Sequence, residues 1–269
     1  MKIAHLVLFF AAIIVAMCPT GASARTINIC SIAADAVTGS VLLEQGSCDT
    51  RVTPASTFKI AISLMGFDAG ILKDEHTPAR PFVEGYAGWI KAWRQTTDPR
   101  RWIAYSVVWY SRFVTTALGP ERFRRYVHEF AYGNEDIGGN PGKNDGLTSA
   151  WLASSLEISP REQLIFLRKI VAGKLNVSPY AYEKTLAILD LGMRGDGWHV
   201  YGKTGSASSR DEIGNLLVDQ PWGWFVGWAR KGDRTIVFAR LTRDTAAPEG
   251  PPGPAARDAL IHDLLSGRL

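Results

Sequence analysis

The stretch Pro54-Ala55-Ser56-Thr57-Phe58-Lys59 opens an apolar run that continues to Asp68, and it decides how the rest of the chain is interpreted. The proline upstream and Gly70 downstream predict a helix over Ser56 to Asp68. The hydroxyl of Ser56 and the amine of Lys59 then lie on one helical face, one turn apart. This is the spacing of a serine nucleophile and the base that takes its proton.

The pair alone is a weak signal, because two fixed residues in four arise about once by chance in a chain of this length. The alternative is a helix cap followed by a surface lysine. A lysine serves as a base only where its surroundings lower its pKa or where it is modified. Further residues of the same chemistry are therefore needed.

A second motif, Lys203-Thr204-Gly205, falls on a predicted strand over His199 to Thr204. A lysine and a threonine can bind a carboxylate there, and a glycine lets a strand edge approach a ligand closely. The alternative is an edge strand that uses its lysine against aggregation.

Two weaker motifs lie between them. Ser106-Val107-Val108 falls inside a helix predicted over Arg101 to Leu118, and Tyr132-Gly133-Asn134 follows a helix predicted over Pro120 to Phe130. Alone, a buried helical serine and a Tyr-Gly-Asn turn are unremarkable.

Strand patterns occur at both ends of the chain and helical patterns occur between them, which predicts an α+β fold. Strands are expected at 27–34, 40–45, 199–204, 222–229 and 234–241, and further helices at 159–173, 180–189 and 254–265. The first of these helices should begin with a capping box at Ser159-Pro160-Arg161-Glu162. Each group of strands alone makes a marginal sheet, so both ends should share one antiparallel sheet packed against helices. We expect a sheet lobe from residues 25–55 and 195–269, a helical lobe from 56–194, and a site in the cleft between them.

The first residues have the layout of a signal peptide cleaved after Ala24: a basic start, a short apolar run and small residues. Export places the remaining cysteines in an oxidising compartment. Folding the first hairpin about Val37-Thr38-Gly39 brings Cys30 beside Cys48, which predicts a disulfide at its base, the alternative being two free buried thiols.

The charge argues against a nucleic-acid-binding protein, and the spacing of the histidines argues against a metal-dependent hydrolase. The net charge of +4 is a weak bias that predicts no nucleic-acid partner. The histidines after the leader are scattered without metal-ligand spacing, so we expect no metal site.

In the order S-x-x-K, S-x-V, Y-G-N and K-T-G, these motifs resemble the class D serine β-lactamases, the oxacillinases. The resemblance extends over essentially the whole chain after the leader. It includes Trp151-Leu152, the segment from Gly223 to Trp228, and an arginine leading into the last helix, matched to Arg257.

The resemblance implies a β-lactamase/transpeptidase-like fold and hydrolysis of β-lactam antibiotics through an acyl-enzyme on Ser56, conferring resistance. In this family the lysine matching Lys59 reacts with carbon dioxide to form a carbamate that serves as general base. Carbon dioxide or bicarbonate is then needed, but no other cofactor and no metal. A periplasmic enzyme, without membrane contact after leader cleavage, is expected.

The resemblance also assigns roles around this pair. Trp151 donates to the carbamate, Ser106 passes the proton to the leaving nitrogen, and Lys203 tunes that hydroxyl. The remaining substrate contacts are an apolar wall at Val108, a close strand at Gly205, carboxylate contacts from Thr204 and Arg257, and an oxyanion hole from the backbone N–H groups of Ser56 and Ser206.

Some alternatives stay open. Arg243 competes with Arg257 for the substrate carboxylate. A β-lactam sensor or penicillin-binding domain shares these motifs but stays acylated instead of turning over. A binding module with aromatic platforms would explain the nine tryptophans. Oligomeric state, inhibitor sensitivity and the range among penicillins, cephalosporins and carbapenems are not readable from the sequence.

Overall fold

Both ends of the chain contribute to one sheet, as the strand pattern predicted. The computed structural model describes residues 25–211, 213 and 215–265, so the expected signal peptide, residues 1–24, lies outside the described residues. The strands are β1 Thr26–Asp35, β2 Val41–Gly46, β3 Asp190–Arg194, β4 Trp198–Arg210, β5 Leu216–Lys231 and β6 Arg234–Asp244. They form an antiparallel sheet in the order β2-β1-β6-β5-β4-β3.

The hairpin of β1 and β2 is closed by a tight turn and stapled at its base. The Asp35 carboxylate accepts hydrogen bonds from the backbone N–H groups of Val37 and Thr38, an arrangement typical of an Asx turn. Cys30 and Cys48 are joined by a disulfide, which confirms the prediction and excludes the two free thiols.

The helices lie between the two groups of strands, with one at the C-terminal end. They are α1 Lys59–Asp68, α2 Pro99–Ala104, α3 Val108–Phe130, α4 Gly146–Ser149, α5 Pro160–Val171, α6 Pro179–Leu189 and α7 Pro252–Leu265, with short 3₁₀ helices at Ala55–Phe58 and Lys91–Trp93. The capping box predicted at the start of α5 is present: the Ser159 hydroxyl accepts from Glu162 N–H, and the Glu162 carboxylate accepts from Ser159 N–H.

One predicted helix boundary is confirmed and another is wrong. The helices expected at 101–118 and 120–130 meet at a kink within α3, at Gly119, whose φ of 75° and ψ of 165° are not helical, so the boundary predicted there is present. The helix expected from Arg101 is interrupted before Val108, so Ser106 does not lie inside a helix. The physical reason is a helix-ending turn described with the site below.

The two faces of the sheet bury separate apolar clusters. Trp224, Val226 and Trp228 of β5 face the main core, which α1, α3, α5 and α6 complete. Phe225 and Ala229 alternate to the opposite face and pack there with residues of α7. The sequence of a strand that is buried on both faces is an almost continuous apolar run, and β5 has this pattern between Trp222 and Ala229.

β3 was not predicted, and it ends just before residue 195, where we placed the start of the second sheet segment. It pairs with β4 only between Trp198 and Tyr201. Within the described residues, the part of β4 beyond Tyr201 therefore pairs with β5 along one edge only, and it approaches the turn at Ser56 at Gly205. No helix of the described part of the chain is long and apolar enough to span a membrane.

Candidate active site

Ser56 lies in the 3₁₀ turn Ala55–Phe58 that leads into α1, where it is half-buried. Lys59 is the first residue of α1 and its side chain is fully buried. The Lys59 Nζ atom lies 2.9 Å from Ser56 Oγ. The preceding residue, Ala55, has φ of +50°, a left-handed conformation that costs free energy for any residue with a β-carbon. Such strain is typical of a backbone that is held for function.

The charges around Lys59 favour its neutral form. Burial holds the pKa of Lys59 well below its usual value, and the positive charge of Lys203 lowers this pKa further. Lys203 is itself only 4% exposed. Two causes lower the pKa of Lys203 to about 7: burial is the larger, and the positive charge of Arg257 is the smaller. A buried neutral amine next to a hydroxyl can accept that hydroxyl's proton.

Strand β4 approaches Ser56 closely at Gly205. A β-carbon at position 205 would lie 3.3 Å from the Ser56 backbone nitrogen and 3.1 Å from the Pro54 carbonyl oxygen. The absence of a side chain therefore permits the contact, as predicted for a strand edge that meets the site.

The alternation of residues along β4 determines the face of the sheet on which Thr204 lies. Thr204 and Ser206 alternate with Lys203 and Gly205, and the Ser206 hydroxyl accepts a hydrogen bond from Gly253 N–H at the start of α7. Thr204 thus lies on the face that α7 covers.

The two competing arginines approach this sheet differently. Arg257 belongs to α7, donates to its neighbour Asp258 at 2.8 Å, and lowers the pKa of Lys203 by its charge. Arg243 lies on the opposite face, with its guanidinium carbon 5.6 Å from the Trp222 ring centroid. Of the two, Arg257 shares a face with Thr204.

Trp151 and Phe58, the residue that precedes Lys59, form part of an apolar wall in the main core. The Trp151 side chain is fully buried, and its ring centroid lies 5.7 Å from that of Phe58. The Thr53 hydroxyl donates to the Trp151 carbonyl oxygen at 2.8 Å, which fixes the backbone. Among the described residues, the indole Nε1 has no hydrogen-bond partner. A buried donor without a partner is costly, so this atom has capacity for an acceptor in the site.

Ser106 lies in the turn between α2 and α3, which corrects the helical placement predicted from the sequence. Its φ is +60°, with Ser106 N–H donating to the Ile103 carbonyl and Val107 N–H to the Trp102 carbonyl. This is the Schellman motif, which normally has glycine at the left-handed position. With serine there, the sequence carries no sign that the helix ends. Val108, 2% exposed, begins α3 and contributes to the apolar core.

Two further residues, which the sequence did not reveal, hold parts of the candidate site in place. Gln163 is buried and donates to the Thr57 hydroxyl at 3.0 Å and to the Tyr132 hydroxyl at 3.1 Å, which ties α5 to the turn and to the Tyr-Gly-Asn segment. The signal that could have revealed it is a polar residue at a core-facing position of α5. Gly253 is the other, because its N–H fixes Ser206.

A metal site requires several ligand side chains close together. In the range that the structure describes, no group of three or more His, Cys, Asp or Glu side chains could hold a metal ion.

Comparison with known proteins gives consistent results. A family model described as the penicillin binding protein transpeptidase domain matches residues 24–265. Beta-lactamase OXA-9 of Klebsiella pneumoniae is 44% identical over 237 residues, which are 87% of this chain and 86% of that protein. Beta-lactamase OXA-1 of Escherichia coli is 35% identical over 223 residues, 79% of this chain and 75% of that protein.

A solved structure agrees with these relatives. The OXA-427 class D β-lactamase, known from a crystal structure, is 46% identical in sequence to this chain. The two structures superpose with a TM-score of 0.83 over 88% of this chain and 97% of that chain. The six-stranded antiparallel sheet and its helices thus have the architecture expected from the resemblance. With its four motifs in order and these relatives along most of its length, the chain belongs to the class D serine β-lactamases, on the penicillin-binding transpeptidase fold.

Proposed function

We propose that this protein hydrolyses β-lactam antibiotics through an acyl-enzyme on Ser56 and so confers resistance to them. The observation that carries the proposal is the fully buried Lys59, whose Nζ lies 2.9 Å from Ser56 Oγ. The relatives named above are β-lactamases over the same length of chain. The catalytic unit is the single domain of residues 25–269.

The reaction consists of two acyl transfers. Ser56 Oγ loses its proton to the base at position 59 and forms a bond to the β-lactam carbonyl carbon. The ring C–N bond breaks, and the Ser106 hydroxyl delivers a proton to the nitrogen while it regains one from the protonated base at position 59. Water then loses a proton to this base and adds to the ester, the bond to Ser56 Oγ breaks and the opened acid leaves, and the base returns the proton to Ser56.

A carbamate on Lys59 is the finer part of the proposal. Only an uncharged amine attacks carbon dioxide, and burial lowers the pKa of Lys59 strongly, which favours that form. The unpartnered Trp151 Nε1 in the same apolar wall fits an anionic acceptor. Trp151 and Ser56 would hold the group, which supplies an anionic base for both transfers.

Substrate binding uses β4 and α7. Thr204 and Arg257, on the face that α7 covers, bind the β-lactam carboxylate, and Lys203 supplies a tunable positive charge beside it. The backbone N–H groups of Ser56 and Ser206 stabilise the tetrahedral oxyanion. Gly205 allows these two N–H groups to approach one another, and Val108 keeps the amine side of the site dry.

We also propose a periplasmic location after cleavage of residues 1–24. Support comes from the disulfide between Cys30 and Cys48, because disulfides persist in oxidising compartments.

One experiment separates this enzyme from a sensor domain that shares its motifs. Purified residues 25–269 are mixed with excess penicillin, while hydrolysis is followed by absorbance and covalent adducts by mass spectrometry. The enzyme is expected to turn over many times, and Ser56→Ala is expected to lose both adduct and turnover. A stable stoichiometric adduct without turnover would identify a sensor.

The carbamate has its own test. Activity is expected to fall when bicarbonate is removed at acidic pH and to return when bicarbonate is added. A ¹³C-bicarbonate signal that is absent from Lys59→Ala should accompany the return. Unchanged activity under both conditions would show that Lys59 works as a free amine.

A further inference from the structure

A cavity lies between the sheet and the helices of the main core, away from the candidate active site. It has a volume of about 440 Å³ and is bounded by α5, α6 and β5. Its walls are mostly apolar, with contributions from Ile170, Val177, Tyr182 and Leu186. This volume is in the range that holds a small organic ligand.

Two buried polar atoms in the wall of this cavity lack partners. Trp228 and Thr185 both line it, and each is 1% exposed. Within the described part of the chain, neither Trp228 Nε1 nor Thr185 Oγ1 has a hydrogen-bond partner. Buried donors are normally satisfied, so two orphaned polar groups in one cavity indicate an absent acceptor.

The cavity is distinct from the catalytic cleft. Trp228 is opposite Tyr201 in the β4–β5 register, whereas Val226 is opposite Lys203. The two pairs lie on the same face, so the cavity wall begins one step along the sheet from the lysine. None of the residues assigned to catalysis or substrate binding lines the cavity.

A cation lies at the opening of the cavity. Arg230 lines it, is exposed, and shares the face of Trp228 because the two are two residues apart on β5. Its guanidinium carbon lies 5.8 Å from the Tyr201 ring centroid, and Arg230 forms no ion pair with a carboxylate of the described residues. Glu183 also lines the cavity, and its carboxylate is paired with Lys184 at 3.2 Å. An anionic group on a ligand is therefore favoured at the opening.

We propose that this cavity binds a small monocarboxylic acid with an apolar body. The apolar part lies among the side chains of α5 and α6, and the carboxylate end accepts hydrogen bonds from Trp228 Nε1, Thr185 Oγ1 and Arg230. A charged acceptor is matched to a donor-only indole and a guanidinium, and the carboxylate of Glu183 in the same wall is already paired with Lys184. The site is independent of β-lactam hydrolysis.

Octanoate is the probe for this site, with 1-octanol as the neutral control. Titration of ¹⁵N-labelled protein is expected to shift one tryptophan indole N–H resonance saturably, the resonance that is missing from Trp228→Phe. Octanoate should bind about tenfold more tightly than 1-octanol, and Arg230→Gln should remove that difference.

Matched variants locate the hydrogen bonds. Thr185→Val keeps the shape of the side chain without its hydroxyl and is expected to weaken octanoate binding about tenfold, as is Trp228→Phe. Trp198→Phe, on the opposite face of the sheet, should bind octanoate as the unaltered protein does. The proposal would be overturned by the absence of a saturable shift of the Trp228 indole, or by Thr185→Val and Arg230→Gln variants that bind octanoate as tightly as the unaltered protein does. Ordered water would then be the partner of both buried atoms.

Discussion

Gly205 faces the backbone nitrogen of Ser56 so closely that a β-carbon at position 205 would lie 3.3 Å from it. Contacts this short force a neighbour to move by a few tenths of an ångström. The atoms that would move are the nucleophile turn and the proposed oxyanion donors, whose placement governs the rate of acyl transfer.

Gly205→Ala is therefore expected to lower kcat/KM for penicillins by about 10- to 100-fold. The measurement is steady-state hydrolysis together with thermal unfolding, to show that the fold is retained. Gly250→Ala is the matched control, because a β-carbon there meets nothing within 4 Å. Full activity in Gly205→Ala would show that this contact does not position the nucleophile.

Variants of Ser106 should separate its backbone role from its hydroxyl role. Its φ of +60° is strained for serine but not for glycine. Ser106→Gly is expected to raise the free energy of unfolding by about 1 kcal/mol and to lose activity, because the hydroxyl that protonates the leaving nitrogen is gone. Ser106→Ala should lose activity without that gain in stability. Thermal unfolding and kcat/KM are compared, and an active Ser106→Gly enzyme would rule out the proton transfer.

The pKa of Lys203 predicts how stability depends on pH. It is about 7 in the folded protein, against the usual 10.5 for a lysine in an unfolded chain. Between these values the unfolded chain binds one more proton at this position, so the free energy of unfolding rises with pH across the window. Below about pH 7 the folded protein must hold a buried ammonium, which is destabilising by a few kcal/mol, on the order set by the shift.

Lys203→Met is thus expected to unfold at a higher temperature than the unaltered protein at pH 6, with the gain shrinking toward pH 10, while activity is lost. The comparison is made in buffer freed of carbon dioxide, so that Lys59 stays an amine. The exposed Lys231 provides the control, because Lys231→Met should show no such trend. A difference that does not vary with pH would place the Lys203 pKa outside this window.

The two candidate arginines can be distinguished by kinetics. Arg257→Ala should raise KM for penicillins by about 10- to 100-fold with a smaller change in kcat, because a charged hydrogen bond to the substrate carboxylate is lost. Arg243→Ala, on the other face and stacked at Trp222, should change KM little. The reverse pattern would assign the carboxylate contact to Arg243.

The parts of the fold that the sequence predicted are those with local chemical signals. The hairpin turn and its flanking cysteines predicted the disulfide, and the Ser159 capping box predicted the start of α5. The five expected strands are all present within the sheet. β3 was missed because Asp190-Leu191-Gly192-Met193-Arg194 has a glycine and no β-branched residue, so its place depends on pairing with β4.

In the candidate site, too, only the features with local sequence signals were predicted. The pairing of Ser56 with Lys59 follows from helical spacing, and the structure brings these atoms within 2.9 Å. The turn at Ser106 could not be read, because its helix-ending motif has serine where glycine gives the usual signal. The side-chain network through Gln163 and the cavity at Trp228 depend on elements distant in the chain, and no local pattern specifies them.

The sheet order also constrains when this protein can fold. Thr26 of β1 pairs with Asp244 of β6, so the first strand of the chain cannot pair with β6 until the last strand has been made. Lys203 and Gly205 reach Ser56 only through the same late strands. Closing such a long loop costs chain entropy and favours slow folding, so Ser56, Lys203 and Gly205 come together only after the last strands have joined the sheet. A chain that ended before β6 would therefore lack this arrangement around Ser56.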